Sequence, residues 1–295
     1  MGISAALGSS ALLPAGLGFR NVLINGDFKV WQRGTDTGYV SAYGTKSFMA
    51  DRWWQLRQGS QSTRYQRSTD VPSSQGFQYS TKMDRQNGAS VTGDIWLGQD
   101  IETVNSIPFA GKSITLSFWA KCGANFSGAS SAMKINLASG TGTDQSRHYA
   151  FLTGEASILN TTATVSTTWQ KFVFSGSVAS SATQLGLLLG WSATGTAGAD
   201  DSLYITGVQL EQNYQPTPFE QRPYGVELAL CQRYYWKWVS ANNGDLYCSV
   251  YQPASTNFFI VVPMPTVMRS RPSSASISGT WTAINSAAAP AIYDR

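Results

Sequence analysis

Between Asn21 and Glu220 the hydrophobic positions recur in short runs with a period near two, separated by clusters of Gly, Ser, Asn and Asp. Such alternation marks a half-buried strand, because successive side chains leave opposite faces of the pleat. The cleanest case is KSITLSFWAKC. Ile114, Leu116, Phe118 and Ala120 fall on one face, and Ser113, Thr115, Ser117 and Trp119 on the other. DRWWQLRQ, FQYSTKMD, DIWLGQDIE, AMKINLAS, WQKFVFSGSV, TQLGLLLGWSA and SLYITGVQLEQ read as further strands. In WQKFVFSGSV, Trp169, Lys171 and Val173 alternate with Gln170, Phe172 and Phe174, so both faces read as partly covered. Roughly eight or nine such strands, with no convincing helix among them, predict two packed antiparallel sheets. The expected class is therefore mainly β: an antiparallel β-sandwich over residues 21–220, joined as a jelly-roll. The opening NVLINGDFKVW reads as its first strand, turned or bulged at Asn25-Gly26-Asp27.

The flanks differ. Residues 1–20 hold no period of 2 or 3.6 and read as an extended docking arm, with Leu12 and Leu13 as contact residues. Pro216, Pro218 and Pro223 mark a linker. Beyond it, residues 221–295 read as a small C-terminal domain of α+β or β type. VELALCQRYYWKWV is its helix, with Val226, Leu230 and Tyr234 on one stripe and Cys231, Tyr235 and Trp238 beside them. Glu227 near the start and Lys237 near the end suit the helix dipole. The aromatic run makes Tyr234, Tyr235, Trp236 and Trp238 candidates for packing on the sandwich or on sister subunits. DLYCSVYQ and NFFIVVPMP read as strands, and the prolines of PMPTVMRSRPSSASI suit an edge. A domain of this size is marginal alone, so subunit contacts are expected to complete it.

Composition narrows the function. Charged residues are 13% of the chain, about half the usual share of roughly 25%, while aromatics reach 12% with 10 Trp. The net charge of +4 is scattered, and no Lys/Arg cluster makes a nucleic-acid footprint. No apolar run approaches the roughly 20 residues of a membrane span, and the N-terminus lacks the basic region of a signal peptide. Synthesis in a cytoplasm is expected. Three widely spaced cysteines, Cys122, Cys231 and Cys248, do not form a disulfide framework. They read as reduced, buried thiols, with a Cys231–Cys248 bridge as the alternative.

Candidate chemistry is sparse. His148 is the only histidine, and no G-x-S-x-G elbow accompanies it. Asp100 with Glu102 and Asp200 with Asp201 could pair carboxylates for glycan cleavage, but as turn and strand-edge residues they read as structural. No catalytic residue is assigned. Sugar binding needs exposed aromatic faces with polar neighbours. Trp31, Arg33, Trp54 and Trp119 are the candidates, Trp119 because it sits on the polar phase of its strand. Trp96, Trp169 and Trp191 are further stacking candidates, with Trp53 and Trp169 read as core or contact residues. Trp53 and Trp54 alternate, so one of the two should face away from the core.

Three stretches resemble a known family: NVLINGDFKVWQRGT with ADRWW, then SLYITGVQLEQNYQPTPFEQRPYGVELALCQRYYWKW, then FFIVVPMPTVMRSRPS. Together they are similar to bacteriophage and prophage tail-fibre or tail-associated virion proteins. Those carry a carbohydrate-binding-module-like jelly-roll. The resemblance implies a location on the phage particle, a homotrimer, docking on other virion proteins through the N-terminal arm, and attachment to host surface polysaccharide. A capsid-decoration or tail-adaptor role with protein contacts only is the alternative, and a glycan-cleaving enzyme the third reading. The resemblance also implies a structural Ca²⁺ between the first and last strands. Here Lys29 follows Phe28 and Thr206-Gly207 precede Val208, where acidic ligands would stand. Calcium needs several oxygen ligands, so no cofactor is expected, with Asp27, Asp200 and Asp201 keeping the calcium alternative open.

Overall fold

The computed structural model describes residues 19–41, 47–148, 150–237, 249–254, 257–261 and 264–270. Two antiparallel sheets form a sandwich. One has six strands in the order β1 (Ser47–Phe48), β2 (Trp54–Arg57), β5 (Gly93–Ile101), β10 (Gln184–Ala193), β7 (Ala132–Gly140), β8 (Ala156–Thr164). The other has five, in the order β3 (Thr63–Ser68), β4 (Ser80–Arg85), β11 (Ser202–Glu211), β6 (Ser113–Cys122), β9 (Gln170–Ser177). The chain passes repeatedly between sheets, as in a jelly-roll.

Burial follows the alternation in the sequence. Ile114, Leu116, Phe118 and Ala120 of β6 all enter the core, as do Leu203 and Ile205 of β11. They meet Ile95 and Leu97 of β5, Ile135 and Leu137 of β7, and Leu187 and Leu189 of β10. On edge strand β9, Phe172 and Phe174 pack against this core while Val173 is exposed, so its two faces are less alike than the sequence suggests. The outward positions of β10 include Gly186 and Gly190, where any side chain would strike Arg147 and Trp96.

Residues 21–31 correct an expectation, for they form no strand. Their backbone groups are satisfied by side chains and by isolated backbone hydrogen bonds, such as Val22 N to Leu210 O, instead of a ladder. The Gln99 amide donates to Ile24 O (2.9 Å) and accepts from Ile24 N (2.8 Å), as a neighbouring strand would. Asn25 N donates to Glu227 Oε1 at 2.5 Å, and Leu23 N to Asn21 Oδ1 at 3.1 Å. Gly26 passes so close to the Val208 carbonyl that a Cβ would overlap it, and Val208 N donates to Gly26 O.

The helix is shorter than expected. After the single turn α1 (Thr103–Ser106), α2 spans Tyr224–Gln232, and Tyr234 N and Tyr235 N turn back to Cys231 O. Its buried positions are Glu227 and Cys231, with Leu228 and Leu230 half-buried, whereas Val226 is exposed. The buried stripe is thus rotated by one residue. It packs on the sandwich, where Cys231 meets Ile24 and Val30. Strands β12 (Ser249–Ala254) and β13 (Asn257–Val261) pair antiparallel, while the described part of the proline-rich segment, residues 264–270, has no strand. Leu12, Leu13, Trp238 and Cys248 lie outside the described residues. Cys122 and Cys231 are buried free thiols, and burial pushes the Cys231 thiol well above its ordinary value.

Candidate functional site

The two outer faces of the sandwich differ. On the six-stranded sheet, Trp54, Trp96 and Leu188 make an apolar patch with Phe48 and Leu56. The chain's own loop near residues 144–155 covers part of that face. His148 stands edge-on to Trp54 at 5.1 Å, and its Nε2 hydrogen-bonds Gln55 O at 3.0 Å. Arg147 pairs with Glu155 at 2.8 Å and donates to Gly186 O at 3.2 Å. Trp54 Nε1 donates to Asp100 Oδ2 at 2.9 Å, and the residue is 1% exposed.

The five-stranded face carries half-buried side chains. Registered pairs place Gln66, Lys82, Tyr204 and Lys121 in one row across β3, β4, β11 and β6. Lys82 Nζ lies 5.3 Å and Lys121 Nζ 4.7 Å from the centroid of the Tyr204 ring. Trp169, just before β9, stands edge-on to Tyr204 at 6.3 Å and 74°. Its Nε1 donates to Asp70 Oδ1 at 2.9 Å, and Lys121 pairs with the other oxygen of Asp70. Lys82 pairs more loosely with Asp200, at 3.7 Å. Trp119 stands two residues from Lys121 along β6, opposite Thr206 and Lys171. The result is a row of aromatic rings between ammonium and carboxylate groups, half open to solvent. A sugar ring stacks on such π-faces, while the charged groups hydrogen-bond its hydroxyls.

Of Trp31, Arg33, Trp54 and Trp119, the structure brings only Trp119 to this row, and of the further stacking candidates it brings Trp169, while Trp96 packs in the patch with Trp54 and Trp191 lies in the core. Trp31 is 9% exposed and donates from Nε1 to Phe28 O at 2.6 Å, so its ring fills the core. Trp54 faces away from the core, and Trp53 enters it, as alternation requires, but Trp54 lies under the covering loop and offers no free ring face. Arg33 stacks on the Tyr235 ring at 3.4 Å and pairs with Asp51 at 3.0 Å. Tyr234 receives Arg52 in the same way, at 3.5 Å. Tyr234 and Tyr235, offered for packing on the sandwich or on sister subunits, pack on their own sandwich, and Trp236 beside them is half-buried. Trp169, read from sequence as a core or contact residue, belongs to the open face. Tyr204 was missed, although it occupies the same outward phase of its strand as Trp119 does of β6.

Arg33 also lines a cavity of about 350 Å³ at the sandwich edge, with Asp36, Thr37, Ser47, Phe48, Gln55 and Arg57 among its walls. The segment 33–40 closes it on one side by running along β3, with Asp36 bridged to Gln66 and Val40 to Thr63.

The calcium donors do not converge. Lys29 Nζ pairs with Asp27 Oδ2 at 2.9 Å and donates to Arg222 O at 2.7 Å, which puts an ammonium where a metal would sit. Asp200 and Asp201 stand at the opposite end of β11 from the Gly26–Val208 contact. Asp201 is engaged by Arg85 at 2.9 Å, and Asp200 accepts from Ala124 N and Ser202 Oγ. The residues present do not fit the ion. The other carboxylates considered for catalysis are likewise engaged. Asp100 accepts from Trp54, Ser146 and Arg147, and Glu102 pairs with Arg233 at 3.2 Å and Arg269 at 3.4 Å.

No protein-family model matches the chain. No curated protein matches it either. Among solved structures it is similar to the enzymatically active domain of tailspike protein 4 of bacteriophage CBA120, with a TM-score of 0.42 and 16% identity. That likeness covers 66% of this chain and 22% of the tailspike chain. It is also similar to a CBM4 structure (TM-score 0.38, 16% identity, 64% of this chain and 98% of that one). TmCBM61 in complex with β-1,4-galactotriose gives 0.36 and 15%, over 66% of this chain and all (100%) of the module. The likeness is one of sandwich architecture.

Proposed function

We propose that the chain is a glycan-binding structural subunit of a tailed-bacteriophage particle, a tail fibre or tail-associated protein that displays its sandwich to the host surface as a homotrimer. The observation that carries the binding part is the row around Tyr204, flanked by Lys82 and Lys121 and extended by Trp169 and Trp119. The outward phase of four neighbouring strands supplies it, on the face that the 144–155 loop leaves open. The particle, the arm-mediated docking and the trimer rest on the resemblance of the three sequence stretches. Binding without cleavage is part of the reading.

Glycan-array binding of the intact protein tests it, with Tyr204→Ala and Trp169→Ala as partners. Saturable binding lost in both variants supports the reading, and absence of binding to any host polysaccharide favours the adaptor role. A stable monomer by light scattering would count against the trimer. Release of reducing ends from host polysaccharide would replace the binding subunit with an enzyme.

A further inference from the structure

The outer face of the five-stranded sheet does not end at the Tyr204 row. At the far end of β6 and β11 a groove of about 390 Å³ is lined by Gly111, Lys112, Ser113, Gln212, Asn213 and Tyr214. The segment after β11 folds back over that face. Asn213 N donates to Glu211 O at 3.1 Å, Thr115 Oγ1 to Asn213 O at 2.8 Å, and Ser175 Oγ to Tyr214 O at 3.4 Å. The Asn213 side chain accepts from Tyr214 N at 2.8 Å. The backbone of Tyr214 is thus fixed on both sides, yet the residue is 74% exposed. A ring held in place in this way can stack on a ligand with little further loss of freedom. Around it, the Lys112 ammonium, the Ser113 hydroxyl and the Gln212 amide are engaged by no other described residue. Glu211 is buried and turned to Gln209 and Thr217. A concave surface with one aromatic ring and several uncommitted polar groups suits a sugar unit.

Ser113 and Trp119 lie six residues apart on one face of β6, which is about 20 Å along the strand. Between them Thr115 and Ser117 are buried, so the open track passes over the neighbouring strand. There Lys171, Val173 and Ser175 of β9 are exposed, in register with Trp119, Ser117 and Thr115. We infer that the Tyr214 groove is a second sugar subsite, and that one unbranched glycan chain lies lengthwise along β6 and β9. One unit of that chain stacks in the Tyr204 row. A later unit stacks on Tyr214, with Lys112, Ser113 and Gln212 hydrogen-bonding its hydroxyls. The ligand is therefore a polysaccharide met along its length, not a single terminal sugar. The inference rests on the glycan-binding reading and deepens it, by giving the size and direction of what is bound.

The experiment is isothermal titration calorimetry of the intact protein with size-fractionated oligosaccharides, from the disaccharide upward, cut from the polysaccharide that binds most tightly on the array. Expected is an affinity that steps up once the chain can span about 20 Å, because the second contact then becomes intramolecular. Tyr214→Ala should remove that step, weakening long chains roughly three- to tenfold, and leave the disaccharide held by the Tyr204 row unchanged. Tyr214→Phe keeps the ring face and should keep the step. The melting temperature of Tyr214→Ala should match that of the wild type, which separates lost binding from lost folding. An affinity that does not change with chain length, or a step that survives Tyr214→Ala, overturns the inference. Binding lost at every length in Tyr204→Ala but at none in Tyr214→Ala overturns the second subsite and leaves glycan binding intact. Absence of binding to every polysaccharide on the array would instead remove the glycan reading, and this inference with it.

Discussion

Arg85 Nη1 lies 2.9 Å from Asp201 Oδ2, and neither side chain has any exposed surface. The rest of the fork is spent on the loops around it. Nη2 donates to Ala89 O and Val91 O at 2.9 Å and to Gly195 O at 3.1 Å, and Nη1 to Ser127 Oγ at 3.2 Å. One guanidinium thus joins the end of β4 to three loops and to the start of β11. Arg85→Met would strand the aspartate and the carbonyls, which costs about 3–5 kcal/mol for a broken buried pair. The measurement is the urea midpoint at unchanged slope. Arg85→Lys should recover little, because an ammonium cannot span the same acceptors. A loss below about 1 kcal/mol for Arg85→Met would remove this pair from the account of stability.

Glu227 gives a pH signature. Its side chain is 5% exposed, and burial raises its value above the ordinary 4.5, against the pull of Arg222 and of the Asn25 N–H. The folded state therefore binds more protons than the unfolded chain just above 4.5, so stability falls as pH rises through that window and levels off above it. Glu227→Gln keeps an acceptor for Asn25 N and has no such slope. The wild-type melting temperature should exceed the variant's by most at acid pH, and the gap should shrink as pH rises. Asp51, whose value burial also raises, is present in both proteins and cancels in the difference. A gap that widens with pH would contradict the sign.

The same substitution should act oppositely at two glycines. Gly98→Ala drives a methyl group into the Trp54 indole and threatens its bond to Asp100. It should cost about 1–3 kcal/mol as an overpacking change. Gly225, in the first turn of α2, has open space around it, and Gly225→Ala should stabilise by about 0.4–1 kcal/mol. Differential scanning calorimetry of the two variants reads both signs.

Chelator and added calcium should each leave the melting temperature unchanged, because Lys29 supplies the positive charge beside Asp27 and the Arg222 carbonyl. Lys29→Met should cost about 1–3 kcal/mol, by leaving a mostly buried carboxylate without its ammonium. Stabilisation of the wild-type protein by calcium would sink this argument.

What the sequence makes legible is what strand alternation alone decides. Ile114 to Ala120 are placed correctly because a central strand obeys a period of two whatever surrounds it. Segment 21–31 is misread because its partners are side chains far along the chain, Gln99 and Glu227, and no local pattern announces them. The helix ends early because Tyr234 and Tyr235 stack on Arg52 and Arg33, contacts between distant segments. At the site, phase finds Trp119. It also turns Trp54 outward, correctly, but cannot reveal the loop that lies over it. Tyr204 carries the same phase signal, with Ser202 and Thr206 on its own face and Leu203 and Ile205 on the other, but a search for stacking rings confined to Trp passes it over, while Trp169 precedes its strand, where alternation has no force.

The beginning and the end of the sandwich are clasped together. Asn21 N donates to Glu220 Oε2 at 2.7 Å, Arg222 donates to Leu23 O and Asn21 O, and Lys29 reaches Arg222 O. The chain therefore enters and leaves the two sheets at one spot, and α2 then packs back on the sandwich. Tension applied from the N-terminal side would load these few polar clasps first, whereas tension from the C-terminal side would first load the ion pairs of Arg269 with Glu102 and Asp144 and the packing of α2. The β-ladders, lying outside the line of force, would be spared until the clasps had opened.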